Sequence, residues 1–300
     1  MSIPADSQLS VHHAARVILS AGDGVQIAAL DTAGREGPDA PTLLMLPGYT
    51  GSKEDFAPLL DPLADSGFRG IAVDMPGQYE SAGPADEYAY SSRVLGAVMA
   101  DLITSLPGPV VVIGHSLGGL VARAAVLAGA TVAGLVLLSS GPAALPAGPR
   151  MGAMDAGEPV LRRLGVAAAY AHLESLVVAR TGDAAGSGQG QRPAAELAEF
   201  HRRRFVASSP AGLIGMANVL RTEPDWTDEL AAVLRRNNAG VAVISGEADD
   251  AWGLQPQADM ARRLGVCLVL IPGAAHSAAV EQPDRLLRVL LPLLRSWTGG

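Results

Sequence analysis

Short, almost unbroken apolar runs recur along the chain, and most are followed by a stretch whose apolar residues return every three or four positions. Residues 42–46, 70–73, 110–113, 132–138, 241–244 and 266–271 are compact apolar runs of strand length. Between them, residues 91–106 carry Val94, Leu95, Val98, Met99, Leu102 and Ile103 at helical spacing, and 117–127, 256–264 and 283–297 follow the same period. Ser52 and Asp55 resemble a capping pair that opens a helix through Leu59, Leu60 and Leu63. Near the start, residues 16–19 and 25–30 flank Gly22-Asp23-Gly24, which reads as a hairpin turn. Strands without polar alternation, separated by helices, predict an α/β fold with a mostly parallel sheet covered on both faces.

The alternation stops between residues 142 and 225. That stretch offers no strand, only helical segments around 160–178, 194–205 and 212–220. The expected organisation is therefore one sheet domain, residues 15–141 and 226–300, interrupted by a helical lid at 142–225 and preceded by a poorly ordered tail at 1–14. Residues 182–190 are rich in Gly, Ala and Ser, but no strand precedes them, so they read as a lid loop and not as a phosphate loop.

Composition narrows the function classes. With 300 residues, 49% hydrophobic and 17% charged, the chain has ample material for a core. A net charge of −8 argues against nucleic acid, and Arg202-Arg203-Arg204 is the one short basic run. Lys53 is the sole lysine, which reads as codon usage. The lone Cys267 excludes an internal disulfide and is expected as a small buried hydrophobe. No signal-peptide core is visible, and the apolar runs are far shorter than the ~20 residues of a membrane span, so a cytoplasmic protein without a membrane partner is expected.

Chemistry enters at Gly114-His115-Ser116-Leu117-Gly118. A Gly-x-Ser-x-Gly match is weak alone, but this one follows the run 110–113 and opens the helix at Leu117, the strand–turn–helix setting of a nucleophile elbow. A serine needs a base and a group that orients it, expected after later strands in the order Ser, acid, His. The run 266–271 leads to His276, and the other five histidines are worse placed. The run 241–244 leads to Gly246-Glu247-Ala248-Asp249-Asp250, where Asp249 is the first candidate, Asp250 a near rival and Glu247 a distant one. Two backbone donors should hold the oxyanion: Leu117, directly after the nucleophile, and Tyr49 in the loop Pro47-Gly48-Tyr49, where Gly48 lets the backbone approach.

Together these residues resemble the α/β-hydrolase superfamily, in the branch with a serine nucleophile and a helical cap after the sixth strand. The likeness extends to Asp74-Met75-Pro76-Gly77 with Ser81, similar to that family's Asp-x-x-Gly-x-Gly-x-Ser loop, and to Glu281-Gln282-Pro283. Two positions depart from it. The usual His-Gly is Pro47-Gly48, which removes a side-chain hydrogen bond, and Gln78-Tyr79-Glu80 replaces the small Gly-containing stretch.

The resemblance implies cofactor-free hydrolysis of a carboxylic ester, lactone, thioester or amide, carboxylesterase-like, through an acyl-enzyme. Alternatives on this fold are a C–C lyase, a haloperoxidase-like member or a non-catalytic ligand receptor. Ser116 argues against dehalogenases and epoxide hydrolases, which carry Asp there, and Leu120 against the lyase, which has Arg after Gly-Gly. A small apolar acyl substrate is expected. Gly48, His115 and Trp252 are candidate pocket residues, with Met151, Met154, Leu213, Ile214, Met216, Val219 and Leu220 from the lid. Arg202, Arg203 and Arg204 are expected on a solvated helix face. No metal or organic cofactor is indicated.

Overall fold

In the computed structural model, which describes residues 7–35, 40–181 and 191–299, the N-terminal hairpin pairs β1 (Ala15–Ala21) with β2 (Val25–Asp31) around Gly22 and Gly24, both at positive φ. Next come β3 (Thr42–Leu46), a 3-10 turn at Lys53–Phe56, α1 (Ala57–Asp65) and β4 (Arg69–Val73). The alternation continues through α2 (Ser92–Ser105), β5 (Val110–His115), α3 (Leu117–Leu127) and β6 (Gly134–Leu138). Four helices follow without a strand: α4 (Pro149–Leu164), α5 (Val166–Thr181), α6 (Gln191–Ala207) and α7 (Pro210–Thr222). The chain then returns through α8 (Thr227–Arg236), β7 (Gly240–Gly246), α9 (Leu254–Arg263), β8 (Leu268–Ile271), α10 (Ala278–Glu281) and α11 (Pro283–Thr298).

The eight strands form one sheet in the order β1-β2-β4-β3-β5-β6-β7-β8. β2 runs antiparallel to both its neighbours, and every pair from β4 to β8 is parallel. Alternate residues of the central strands enter opposite cores, as the two-residue strand period requires. Leu44, Leu46 and Val112 pack with α2, α3, α8 and α9, whereas Leu43, Met45, Val111 and Ile113 pack with α1 and α11. Both faces of the sheet are thus covered, which is why these strands read as continuous apolar runs.

Helices α4–α7 carry a small cluster of their own, in which Leu161, Ala169, Phe205, Leu213 and Ile214 are buried. Their entry and exit segments are joined by Ala144 N donating to Glu223 O and Leu145 N donating to Leu220 O, both at 2.8 Å. Arg123 of α3 is 1% exposed and bolts this junction to the core. Its guanidinium donates to Pro142 O, to Glu223 Oε1 at 2.7 Å and to Pro224 O at 3.3 Å. Ser92 Oγ holds the other carboxylate oxygen at 2.7 Å.

Some expectations change in detail. The helix expected over 160–178 is broken at Gly165 (φ +85), and α8 was not expected. Residues 182–190, the expected lid loop, lie outside the described residues. Of the expected tail, residues 7–14 are tied to the core: Ser7 is buried, Gln8 donates to Asp55 Oδ1 at 3.2 Å, and the His13 amide donates to Asp61 at 3.0 Å. Cys267 is exposed and not buried, because it precedes β8, the outermost strand, where one flank of the sheet is uncovered. Among the described residues no helix is long and apolar enough to cross a membrane.

Candidate active site

The turn between β5 and α3 is built from close backbone contacts. A Cβ on Gly114 would come within 2.4 Å of Gly118 O, and one on Gly118 within 2.4 Å of Leu46 O, so neither position has room for a side chain. Ser116 between them adopts φ +54, ψ −121, a conformation that costs an L-residue of order 1–3 kcal/mol. Its amide donates to Leu138 O at 2.9 Å, which pins the elbow to β6. The hydroxyl projects at the C-terminal edge of the sheet and at the N-terminus of α3, where unpaired N–H groups favour negative charge.

Asp249 and His276 meet beside it. His276 Nδ1 lies 2.8 Å from Asp249 Oδ1. A carboxylate accepts, so Nδ1 carries the hydrogen, and in the neutral ring the lone pair is then on Nε2. Asp249 is itself held by the Ala251 amide at 3.0 Å, Gln257 Nε2 at 2.9 Å and Ser245 Oγ at 3.2 Å. Burial works against its ionisation, but the hydrogen bond and charge of His276 outweigh this, and its pKa lies below the usual carboxylate value. The rivals face elsewhere: Asp250 pairs with Arg150 at the surface, and Glu247 accepts from the Gly273 amide at 3.1 Å. Gln257 and Ser245 carry no sequence signal, because nothing in their spacing marks them as supports for an acid.

His115 lies under the same site. Its ring centroid is 4.9 Å from that of His276, and its Nε2 lies 2.9 Å from His276 O. A carbonyl only accepts, so this nitrogen carries the hydrogen. Burial, then the neighbouring His276, depress its pKa to about 4, so the ring is neutral at pH 7.

The loop after β3 lies against the elbow. A Cβ on Gly48 would sit 3.2 Å from His115 Nδ1 and 3.3 Å from Ser116 Cβ. Among the described residues, neither the Tyr49 nor the Leu117 amide has a protein acceptor. The Tyr49 hydroxyl donates to Leu213 O of α7 at 2.8 Å, so the same residue also ties the loop to the helical insertion.

A cavity of about 330 Å3 opens over Ser116 and His276. Its apolar wall comes from Met154, Leu161, Phe205, Leu213, Ile214 and Leu220, all in the insertion. Its polar end holds Gln8, Thr50, Asp55 and Arg204, with Arg204 Nη1 2.6 Å from Asp55 Oδ1. Burial opposes charge on Asp55, but Arg204 prevails and holds its carboxyl below the usual range. Gly48 and His115 are among the residues that line the cavity, and Arg204 faces it instead of solvent. Trp252 does not line it. Its ring packs on Gly141 and its Nε1 donates to Ala143 O at 2.8 Å, bracing the entry to the insertion. Met216 and Val219 are likewise core residues, and Met151 is not among the lining residues. Among the described residues no group of three or more His, Cys, Asp or Glu is placed to hold a metal ion.

The model of the alpha/beta hydrolase family matches residues 43–289. No curated protein matches the sequence. Solved structures resemble the chain over nearly its whole length. An esterase from Thermogutta terrifontis is 25% identical, with 95% of this chain and 100% of that one covered and a TM-score of 0.69. A carboxylesterase structure from Nitrososphaera gargenis is 20% identical, covering 94% and 99%, with a TM-score of 0.73. The N-acyl homoserine lactonase AidH, in complex with N-hexanoyl homoserine, is 20% identical, covering 95% and 98%, with a TM-score of 0.70.

Proposed function

The chain belongs to the alpha/beta hydrolase family, and from that premise we propose that it is a serine hydrolase cleaving a carboxylic ester or related acyl compound through an acyl-enzyme. The observation that carries this reading is the 2.8 Å contact of Asp249 with His276 Nδ1, which leaves Nε2 as a base in the cavity that also exposes Ser116. In the first half-reaction Ser116 Oγ attacks the acyl carbonyl while His276 Nε2 takes the hydroxyl proton. Asp249 orients the ring and stabilises the imidazolium. The Tyr49 and Leu117 amides donate to the oxyanion as it forms, and their direction is set before substrate arrives. His276 then gives its proton to the leaving oxygen as the C–O bond breaks. In the second half-reaction water, deprotonated by His276, attacks the acyl carbonyl, and Ser116 leaves with the proton restored.

The insertion acts as a cap whose apolar wall takes the acyl chain. Paired Arg204 and Asp55 neutralise each other, so the favoured substrate is uncharged, small to medium and apolar in its acyl part. The likeness to two esterases and a lactonase supports ester or lactone chemistry. A p-nitrophenyl ester series of increasing acyl length tests the reading: rates should pass through an optimum at short or medium chains. Flat, negligible rates across the series would refute it and favour a ligand receptor.

A further inference from the structure

The loops that carry the two departures from the family pattern, Pro47-Gly48-Tyr49 and Gln78-Tyr79-Glu80, are joined by hydrogen bonds. Gln78 is 2% exposed, and its side-chain amide is buried between two loops. Its Oε1 accepts from the Met75 amide at 3.0 Å, which fixes which end of the amide is which. Its Nε2 then donates to Gly48 O at 2.7 Å and to Tyr49 O at 3.2 Å. Both acceptors belong to the loop that faces Ser116.

The peptide joining Gly48 and Tyr49 is trans and planar, so its C=O and N–H point in opposite directions. A hold on Gly48 O therefore sets the direction of the Tyr49 N–H. Among the described residues that N–H has no protein acceptor of its own, and the loop it belongs to passes so close to the elbow that a Cβ at position 48 would sit 3.2 Å from His115 Nδ1 and 3.3 Å from Ser116 Cβ. Where the family's histidine would brace this loop from within, Pro47 offers no donor. We infer that Gln78 is the positioning residue of the oxyanion hole, fixing the Tyr49 amide from the neighbouring loop in place of the absent histidine. This rests on the serine-hydrolase reading above.

The loop that carries Gln78 is built to hold it still. Gln78 N donates to Met75 O at 2.9 Å, Ser81 N to Gln78 O at 2.8 Å, and Ser81 Oγ to Asp74 O at 2.7 Å. Tyr79, at the place of the family's second glycine, keeps the left-handed conformation at φ +39. Its ring lies under Lys53 Nζ at 4.7 Å and edge-on to Phe200 of α6. Lys53 is anchored in turn by Asp74 at 2.8 Å and Glu80 at 2.7 Å. All three residues of the stretch are thus engaged, and of the three Gln78 alone reaches the oxyanion loop.

The test compares wild type with Gln78→Met, which keeps the length and loses every hydrogen bond, and Gln78→Glu, which keeps an acceptor for Met75 N–H and loses the donor. The readouts are kcat and KM on p-nitrophenyl butyrate, the inhibition constant of a trifluoromethyl ketone that forms a tetrahedral adduct with the serine, and the thermal midpoint. The expected result in both variants is a 10- to 100-fold fall in kcat, KM within about threefold, and a matching loss of trifluoromethyl ketone affinity. The pH midpoint of activity should not move. A folded variant with wild-type kcat and inhibitor affinity would overturn the proposal, as would a rise in KM alone, or a lowered thermal midpoint with inhibitor affinity intact. Wild-type labelling by a fluorophosphonate at Ser116 separates these outcomes from failure of the serine-hydrolase reading, in which Ser116 would not react at all.

Discussion

The C-terminal edge of the sheet and the cap enclose one cavity, but they are built from different materials. At the edge the geometry is set by backbone against backbone, Gly114 on Gly118 and Gly118 on Leu46 O, with Gly48 close against the side chains of His115 and Ser116. In the cap it is set by side chains such as Leu161, Phe205 and Ile214 packing on one another, with a few discrete bolts to the core. Those bolts include Arg123 to Glu223, the Tyr49 hydroxyl to Leu213 O, Ser209 N to Gly77 O, and Arg204 to Asp55. Backbone contacts of this kind admit almost one sequence solution. Side-chain packing admits many of similar volume. Changes at the edge should therefore scale the rate on every substrate alike, whereas changes in the cap should re-rank substrates.

The sharpest separation is at the acid. Asp249→Asn removes the charge that orients His276 and should lower kcat by about 10^4-fold on every ester, while Asp250→Asn, one residue on, should stay near wild type. Comparable losses in both variants would break the assignment of the edge.

The bolt at the cap's base predicts the next largest effect. Arg123→Met strands a buried Glu223 carboxylate and should cost roughly 3–5 kcal/mol in urea unfolding. A cost below about 1 kcal/mol would mean that the cap is not anchored there.

Between these regions His115 gives a pH signature. Its folded pKa of about 4 lies below the unfolded value of 6.5, so between the two the unfolded chain holds a proton that the folded one refuses. Its contribution to stability is full above 6.5 and is lost as pH falls towards 4, by roughly 3 kcal/mol in all. Urea midpoints of wild type and His115→Gln at pH 7 and pH 4.5 should show a smaller acid loss in the variant. Equal losses would contradict burial of a neutral imidazole.

The smallest effect expected is one of selectivity. Ala217 lines the cavity and is 3% exposed. Ala217→Phe should lower kcat/KM on p-nitrophenyl octanoate by roughly 10- to 100-fold relative to the acetate. A uniform fall on both esters would erase the distinction between edge and cap.

The same difference in materials explains what the amino-acid sequence discloses. The elbow was legible because Gly114 and Gly118 are forced by sterics, and the strands because burial on two faces leaves no polar alternation. Asp249 stood out by its place after β7, yet Asp250 differed from it in the sequence by one position only. Their opposite surroundings come from the turn, in which Asp249 is 6% exposed and Asp250 faces Arg150. Helix α4 was half missed because Pro149, Gly152, Gly157 and Pro159 break its pattern, and α8 because only Leu230, Ala231 and Leu234 mark its buried face. Trp252 and Cys267 went the other way. An aromatic beside the acid and a cysteine in an apolar run both suggest a surrounding, but tertiary position decides it: Trp252 braces Ala143, and Cys267 sits at the open flank of β8. Gln78 was visible only as a departure, since its function depends on two carbonyls thirty residues away.

The central claim is that Ser116 is the nucleophile that the edge holds ready for His276. Its most direct test is intact-protein mass spectrometry after a short-chain p-nitrophenyl ester and, separately, a fluorophosphonate, in wild type and Ser116→Ala. Wild type should gain one covalent group, mapped to Ser116, and hydrolyse the ester, while Ser116→Ala gains none and loses activity by at least about 10^4-fold. Undiminished ester hydrolysis by Ser116→Ala, or a label carried on another residue, would contradict it.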